Sequence, residues 1–450
     1  MKPNIVFYFT DQQRWDTLGC YGQPLPISPV LDQLAESGVL FEQAYTAQPV
    51  CGPCRALFQT GLYPTQSGCF RNSIALPEGV KTLGDYLTEA GYETGYVGKW
   101  HLASTGELEK KPDIDYTITA VPPELRGGYR GFWRAADVLE FTSHGYVFDE
   151  HMQKREFKGY RVDCITDFGL EFLDQVQKDK PFFLTISHIE PHHQNDRHCY
   201  EGPAGSKTRF QDFVLPADLQ ALPGNAAEMY PDYLGCCRSL DDNLGRVVDK
   251  LKAMGIWENT ILIFASDHGS HFMTRNRDAH LNGYDDYKRS CHDACLHVPL
   301  VICGPGFEGG KRISELVSTA SLPKTILAMA SIDVGDQMIG ENLQTVVDGK
   351  IQNRPNRIFA QISESRVGRC IRTANYLYSV YAPGVHGGEV MDSDLYEDDF
   401  LFDLKADPAQ LHNCVADPRY QKIKEDLRAQ LIEEMIQAHE KKPVIRDGKI

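Results

Sequence analysis

No stretch of the 450-residue chain approaches the ~20 consecutive apolar residues that cross a bilayer, and the best candidates, residues 182–186 and 261–265, meet a charge within a few positions. A membrane-spanning protein is not expected. Positive charge is also scarce: 46 Lys and Arg against 62 Asp and Glu leave a formal net charge of −16, which repels polyphosphate chains and anionic membrane surfaces. Neither nucleic acid nor a membrane is therefore an expected partner. The low hydrophobicity of disordered chains is missing, since 42% of residues are hydrophobic and 24% charged. Internal repeats and low-complexity tracts are absent too. Residues 1–10 hold one Lys and a short apolar stretch at 5–9, below the roughly 7–15 apolar residues of a signal-peptide core. A cytoplasmic location is the expectation, unless a signal has been removed. The 13 Cys are odd in number and irregularly spaced, which fits reduced thiols better than a disulfide framework.

At roughly 100–200 residues per domain, this length suits one large or two unequal domains. Residues 4–10 form an apolar run between Pro3 and Asp11, of the kind buried in parallel sheets. A second run, 260–266, ends in Asp267-His268-Gly269, and a third, 181–187, ends near His188 and His192. Three strands thus deliver polar residues at their exits, where ligands bind in open α/β sheets. Helical patterns fall at 30–37, 82–90, 161–177 and 234–254, the last with Leu234, Cys237, Leu240, Leu244, Val247, Val248 and Leu251 every three or four positions. Alternating strand and helix predicts an α/β sandwich. Beyond about residue 340, short antiparallel strands are expected at 357–362, 369–372 and 376–381, then a charged helix at 420–441. The expected division is a catalytic domain at 1–345 and a smaller subdomain at 346–450. Residues 104–160 and 192–230 read as irregular insertions over one face of the sheet.

The sharpest local signal is Cys51-Gly52-Pro53-Cys54-Arg55, continuing to Thr60-Gly61. One reading is a redox pair, Cys51 and Cys54, at a helix start that lowers the thiol pKa, similar to thioredoxin. Another is simply two buried thiols. The third is a resemblance to the sulfatase signature Cys-x-Pro-x-Arg followed by Thr-Gly, which also accounts for Arg55, Thr60 and Gly61.

The resemblance to formylglycine-dependent sulfatases, and among them to bacterial exo-acting carbohydrate sulfatases, extends from residue 4 to about 415. It implies an alkaline-phosphatase-like fold, a large mixed and mostly parallel sheet between helices with a small carboxyl-terminal antiparallel subdomain. It implies that Cys51 becomes formylglycine through a maturation enzyme. Asp11-Gln12 and Asp267-His268 match the two halves of the family's divalent metal site beside position 51, with His268 in place of the usual Asn. Oxygen ligands favour a hard cation, Ca²⁺ first and Mg²⁺ next, and the imidazole leaves Mn²⁺ or Zn²⁺ open. Gly98-Lys99-Trp100-His101 resembles the stretch that brings a cation and an imidazole to the sulfate, and strand alternation is expected to turn Lys99 and His101 to one side. Pro191-His192 matches a further imidazole, with His188 and His193 as neighbours, and Lys288, ahead of His292-Asp293 and Pro299, matches the second sulfate-binding lysine. Asn72, beside Arg71, resembles a substrate-contacting Asn, with a loop cap as its other reading.

By this resemblance the hydrate at 51 attacks sulfur, Arg55 holds it, His192 or Lys288 protonates the departing alcohol, and His101 takes the second proton. The substrate would be a small sulfated molecule, first among them glycosaminoglycan-derived saccharides. The runner-up is a phosphonate monoester or phosphodiester hydrolase of the same superfamily, against which Lys99-x-His101 argues. A thiol oxidoreductase through Cys51 and Cys54 is the distant alternative.

Overall fold

The computed structural model describes residues 2–103, 114–177, 179–194, 197–275, 287–350 and 354–448. A ten-stranded mixed sheet runs through the larger part of the chain. Its centre is five parallel strands in the order Thr260–Ser266, Asn4–Thr10, Phe182–Ser187, Glu93–Lys99 and Phe132–Ala136. Strand Asn4–Thr10 is buried along its whole length. Because successive side chains alternate, Ile5, Phe7 and Phe9 enter one core while Val6 and Tyr8 enter the other. The first core receives Leu57 and Phe58 of helix Cys51–Thr60, and Leu322, Ile326 and Leu327 of helix Leu322–Met329. The opposite core receives helices Pro29–Ser37, Arg161–Gln175 and Ala226–Ala253. In the last of these, Leu240, Leu244, Val247, Val248 and Leu251 face the sheet as their spacing predicts, whereas Leu234 and Cys237 join a separate aromatic cluster.

The region 104–160 departs from expectation. Phe132–Ala136, His144–Asp149 and Lys154–Lys158 are strands that complete one edge of the main sheet. Lys154–Lys158 buries only Phe157 and otherwise carries charge, which protects an edge from further pairing and erases the alternating pattern that marks a strand. In 192–230 the chain forms short helices Ser206–Arg209 and Ala217–Ala221 and then enters Ala226–Ala253, eight residues earlier than its periodicity suggests.

The second sheet has five strands, Arg357–Ile362, Gly368–Thr373, Tyr376–Tyr381, Leu395–Asp403 and Val444–Arg446. Its pairings are antiparallel except the last, which is parallel. Helix Gln421–Gln437 covers it with Leu427, Leu431 and Met435. No helix among the described residues is long and apolar enough to cross a membrane.

Gly98 sets the approach of two central strands. Its φ is +101°, and a Cβ there would lie 2.0 Å from the Ser187 carbonyl oxygen. Gly98→Ala is expected to cost about 2–4 kcal/mol in chemical denaturation, combining backbone strain with overpacking. A variant within about 0.5 kcal/mol of the parent, the scale of a neutral surface change, would show that the strands separate freely.

Candidate active site

Strand register builds the site. Thr10 and Ser266 are paired, so the next residue of each chain segment, Asp11 and Asp267, leaves the carboxyl edge side by side. The catalytic candidates of the neighbouring strands leave the same edge: Gly98 pairs with Ser187, just before Lys99 and His188. Helix Cys51–Thr60 points its amino terminus at this edge and is buried at all ten positions.

The Cys51 sulfur lies 3.3 Å from Asp11 Oδ1, 3.3 Å from His268 Nε2 and 3.2 Å from Lys288 Nζ. Burial would raise the Cys51 thiol, but Lys288, Lys99 and His268, with a hydrogen bond from His101, bring it well below its usual value. Asp11 Oδ2 accepts from both Lys99 Nζ and Arg55 Nη2 at 2.9 Å. Burial and the Cys51 sulfur would raise its carboxyl; Lys99, His192 and Arg55 hold it below the usual carboxylate range. Arg55 also donates to the Lys99 carbonyl and to Ser187 Oγ. Its hydrogen bonds thus orient Asp11 and the Lys99 backbone, so that its link to position 51 runs through Asp11.

Asp11, Cys51, Asp267 and His268 offer ligand atoms within 4.8 Å of one another, all buried. Three features fit this group to a cation. Asp267 Oδ2 is buried without a hydrogen-bond partner among the described residues. Burial and the adjacent Asp11 charge push the Asp267 carboxyl up to about 7, the cost of two carboxylates sharing one place. His268 Nδ1 donates to the Gly269 carbonyl at 3.0 Å, which directs Nε2 at the cluster; burial would lower its pKa, but Asp267 and the Cys51 sulfur raise it, the mark of negative charge gathered there. Gln12 sits at the same edge with φ 65°, its Oε1 accepting from His193 N at 3.0 Å and its Nε2 buried without a partner among the described residues.

His192 is singled out from its neighbours. Its Nδ1 donates to the His193 carbonyl at 2.5 Å, so Nε2 accepts from Lys288 Nζ at 2.6 Å. Burial and Lys288 bring its pKa down to about 4. His193 stacks on Tyr287, and His188 lies against Tyr8 beneath the site. Lys99 and His101 both act on Cys51, Lys99 through its charge and His101 through a hydrogen bond, though not by strand alternation: the strand ends at Lys99, and His101 turns through a left-handed φ of 60°. Asp137 holds that turn, its Oδ1 accepting from the amides of Leu102 and Ala103. Asn72 takes its capping role, its Oδ1 accepting from Gly52 N at 2.8 Å.

Sequence reasoning missed Ser187, Asp137, Arg289 and Glu364. Ser187 and Asp137 stand at strand exits, which is the signal that could have found them. Glu364 carries no motif. The redox reading loses its geometry, because Cys54 Sγ turns to the Asp267 carbonyl and Thr46 Oγ1. Burial raises its thiol further, and none of the 13 cysteines is joined in a disulfide.

These features are those of a hydrolase for an anionic ester, and comparison with known proteins gives the class. The sulfatase family model matches residues 3–332, and the model for the carboxyl-terminal part of N-sulphoglucosamine sulphohydrolase matches residues 282–437. The chain belongs to the sulfatase family of sulfuric ester hydrolases. It is 29% identical to the uncharacterized sulfatase YidJ of Escherichia coli, across 96% of this chain and 87% of that protein. An N-acetylglucosamine-6-O-sulfatase of Bacteroides thetaiotaomicron is 24% identical across 96% and 86%. Among solved structures, a putative sulfatase YidJ of Bacteroides fragilis superimposes with TM-score 0.81 at 23% identity, covering 98% of this chain and 96% of that one. A phosphonate monoester hydrolase of Agrobacterium radiobacter shares the fold, with TM-score 0.71 at 20% identity over 97% and 96%. The fold is therefore the alkaline-phosphatase-like one that the sequence predicts.

Proposed function

We propose that the chain hydrolyses a sulfate monoester on a saccharide, with residue 51 as the nucleophile after its cysteine is converted to formylglycine. The observation that carries this reading is the Cys51 sulfur at the first turn of a buried helix, between Lys288 on one side and Asp11 and His268 on the other. A formylglycine hydrate there supplies an oxygen nucleophile and a second hydroxyl, and a divalent cation held by Asp11, Gln12, Asp267 and His268, with Ca²⁺ first and Mg²⁺ or Mn²⁺ next, supplies charge to the sulfate oxygens.

The remaining work falls to the chain's own groups. Lys99 and Lys288, 5% and 2% exposed, bracket the place of the sulfate in a site with little water, where fixed charges act strongly. Because His192 Nε2 accepts from Lys288, the proton nearest a departing alcohol is the one on the Lys288 ammonium, with His192 orienting or relaying it. His101 stands beside residue 51 with Nδ1 buried and unpartnered among the described residues, suited to take a proton from the second hydroxyl. A maturation enzyme is the partner this chemistry requires. The saccharide class is supported by relatives that act on sulfated sugars, such as the N-acetylglucosamine-6-O-sulfatase. We place the division between catalytic part and carboxyl-terminal subdomain near residue 345, between the two sheets.

Protein co-expressed with a formylglycine-generating enzyme is expected to lose about 18 Da at the peptide containing residue 51, the exchange of H₂S for O. It should release sulfate from members of a panel of defined sulfated sugars. Fully active protein whose peptide shows only unmodified Cys51 would end this reading.

A further inference from the structure

Glu364 stands in the turn between strands Arg357–Ile362 and Gly368–Thr373 of the second sheet, with a left-handed φ of 65°. Its largely buried carboxylate faces the catalytic part of the chain. Oε1 accepts from the backbone amide of Asn72 at 2.5 Å, and Oε2 accepts from the Arg289 guanidinium, with which it forms an ion pair. Each partner leads to residue 51 in one further step. Asn72 Oδ1 caps the amide of Gly52, and the fit is close: a Cβ on Gly52 would lie 2.9 Å from that oxygen. Arg289 is covalently joined to Lys288, whose Nζ lies 3.2 Å from the Cys51 sulfur.

The geometry points to Glu364 as a positioning residue for the sulfate-transfer site, a single carboxylate that fixes the amino terminus of the catalytic helix and the second lysine relative to each other. The inference rests on the proposed role of residue 51 and adds to it a residue from the carboxyl-terminal sheet. One anion satisfies a backbone donor on one loop and a cation on another, so the two loops share a common anchor. The turn itself is docked by other bonds. Gln361 N donates to the Ala47 carbonyl at 2.8 Å, Gln48 Nε2 to Ser363 Oγ at 2.7 Å, and Ser365 Oγ to the Arg289 carbonyl at 3.0 Å. Removing the carboxylate therefore tests positioning with the turn still in place.

The experiment compares wild type, Glu364→Ala and Glu364→Gln in matured enzyme, with para-nitrophenyl sulfate and 6-O-sulfated N-acetylglucosamine as substrates. Glu364→Ala is expected to lower kcat about thirtyfold or more with KM within about threefold, the pattern of small misplacement of reacting groups. Glu364→Gln keeps an acceptor for Asn72 but not the charge for Arg289, and should fall between. Hydrogen exchange across residues 70–74 should quicken in Glu364→Ala, while the thermal midpoint stays within a few degrees. In an Asn72→Ala/Arg289→Met background the same substitution should change kcat less than about threefold, since the Asn72 carboxamide that relays to Gly52 and the Arg289 guanidinium are both gone.

Unchanged kcat and exchange in Glu364→Ala, or an equal loss in the double-variant background, would overturn the inference. A rise in KM alone would do so as well, since it would mean direct substrate contact. Should Glu364→Ala fail to fold, Glu364→Gln decides by the same measures. Wild type that releases sulfate from neither substrate tells against the sulfate-ester reading instead, and the exchange rates still judge the anchor.

Discussion

Replacing Lys99 with alanine should lower kcat/KM for a sulfate ester about a hundredfold or more, corresponding to about 3 kcal/mol of transition-state stabilisation lost with one oxyanion-type donor. Lys99 is 5% exposed, and its Nζ shares Asp11 Oδ2 with Arg55. After the substitution Arg55 still holds Asp11, so the loss reports on the sulfate and not on collapse of the carboxylate cluster. The same variant separates two chemistries of one fold. A phosphodiester carries the same single negative charge but has only two non-bridging oxygens, one fewer for Lys99, Lys288 and the cation to share, so its slower hydrolysis should fall less. Measuring kcat/KM for a sulfated sugar and for an aryl phosphodiester, on wild type and variant side by side, gives the comparison. A wild type that prefers the diester, or two activities that fall equally, would hand the site to the phosphonate and phosphodiester hydrolases.

The second large effect is expected at Asp267. Its Oδ1 accepts the amides of Gln12 and His268 at 2.9 and 2.8 Å, while Oδ2 is buried with no partner among the described residues. Asparagine can keep the first oxygen's bonds and remove the charge from the second, so Asp267→Asn should fold. Bound divalent metal is expected to fall from one per chain to about a tenth, and turnover by about three orders of magnitude, the several kcal/mol that a cation supplies to a developing anion. Asp11→Asn should behave similarly, with some loss of fold because Arg55 and Lys99 then face a neutral amide. Elemental analysis of purified protein alongside steady-state rates makes the test. Wild-type metal content and turnover in both variants would show that these carboxylates hold no ion.

Much of this site could be read before the fold was seen, because its residues sit where apolar runs stop. Asp11, Asp267 and His192 each follow a buried strand, and Cys51 opens a helix whose motif is local. Those signals need only short stretches of chain. The pairing of Lys99 with His101 was legible but its cause was not: the strand ends between them, and a left-handed turn held by Asp137 brings the imidazole round. Asp137 was hidden because its strand lies in a stretch rich in glycine and charge. Of the strands beyond it, Lys154–Lys158 exposes every side chain but Phe157 and so lacks a buried face to mark it. Glu364 was illegible for a different reason. A lone acid in a Ser-Glu-Ser turn has no periodicity, and only long-range packing gives it Asn72 and Arg289 as partners.

If residue 51 is converted as proposed, the burial of helix Cys51–Thr60 along all ten residues sets a timetable for that maturation. In the folded protein an enzyme has no hold on the signature around residue 51, so conversion belongs to the chain still being made. The central strand that underlies this helix, Asn4–Thr10, acquires its neighbour Thr260–Ser266 only after more than half of the protein has been synthesised. At roughly 5–20 residues per second that interval lasts roughly ten to forty seconds, and within it the proposed maturation enzyme would compete with folding for the same cysteine. The yield of converted protein is then a ratio of two rates. Slowing translation between residues 60 and 260 should raise it without altering a single contact of the finished molecule.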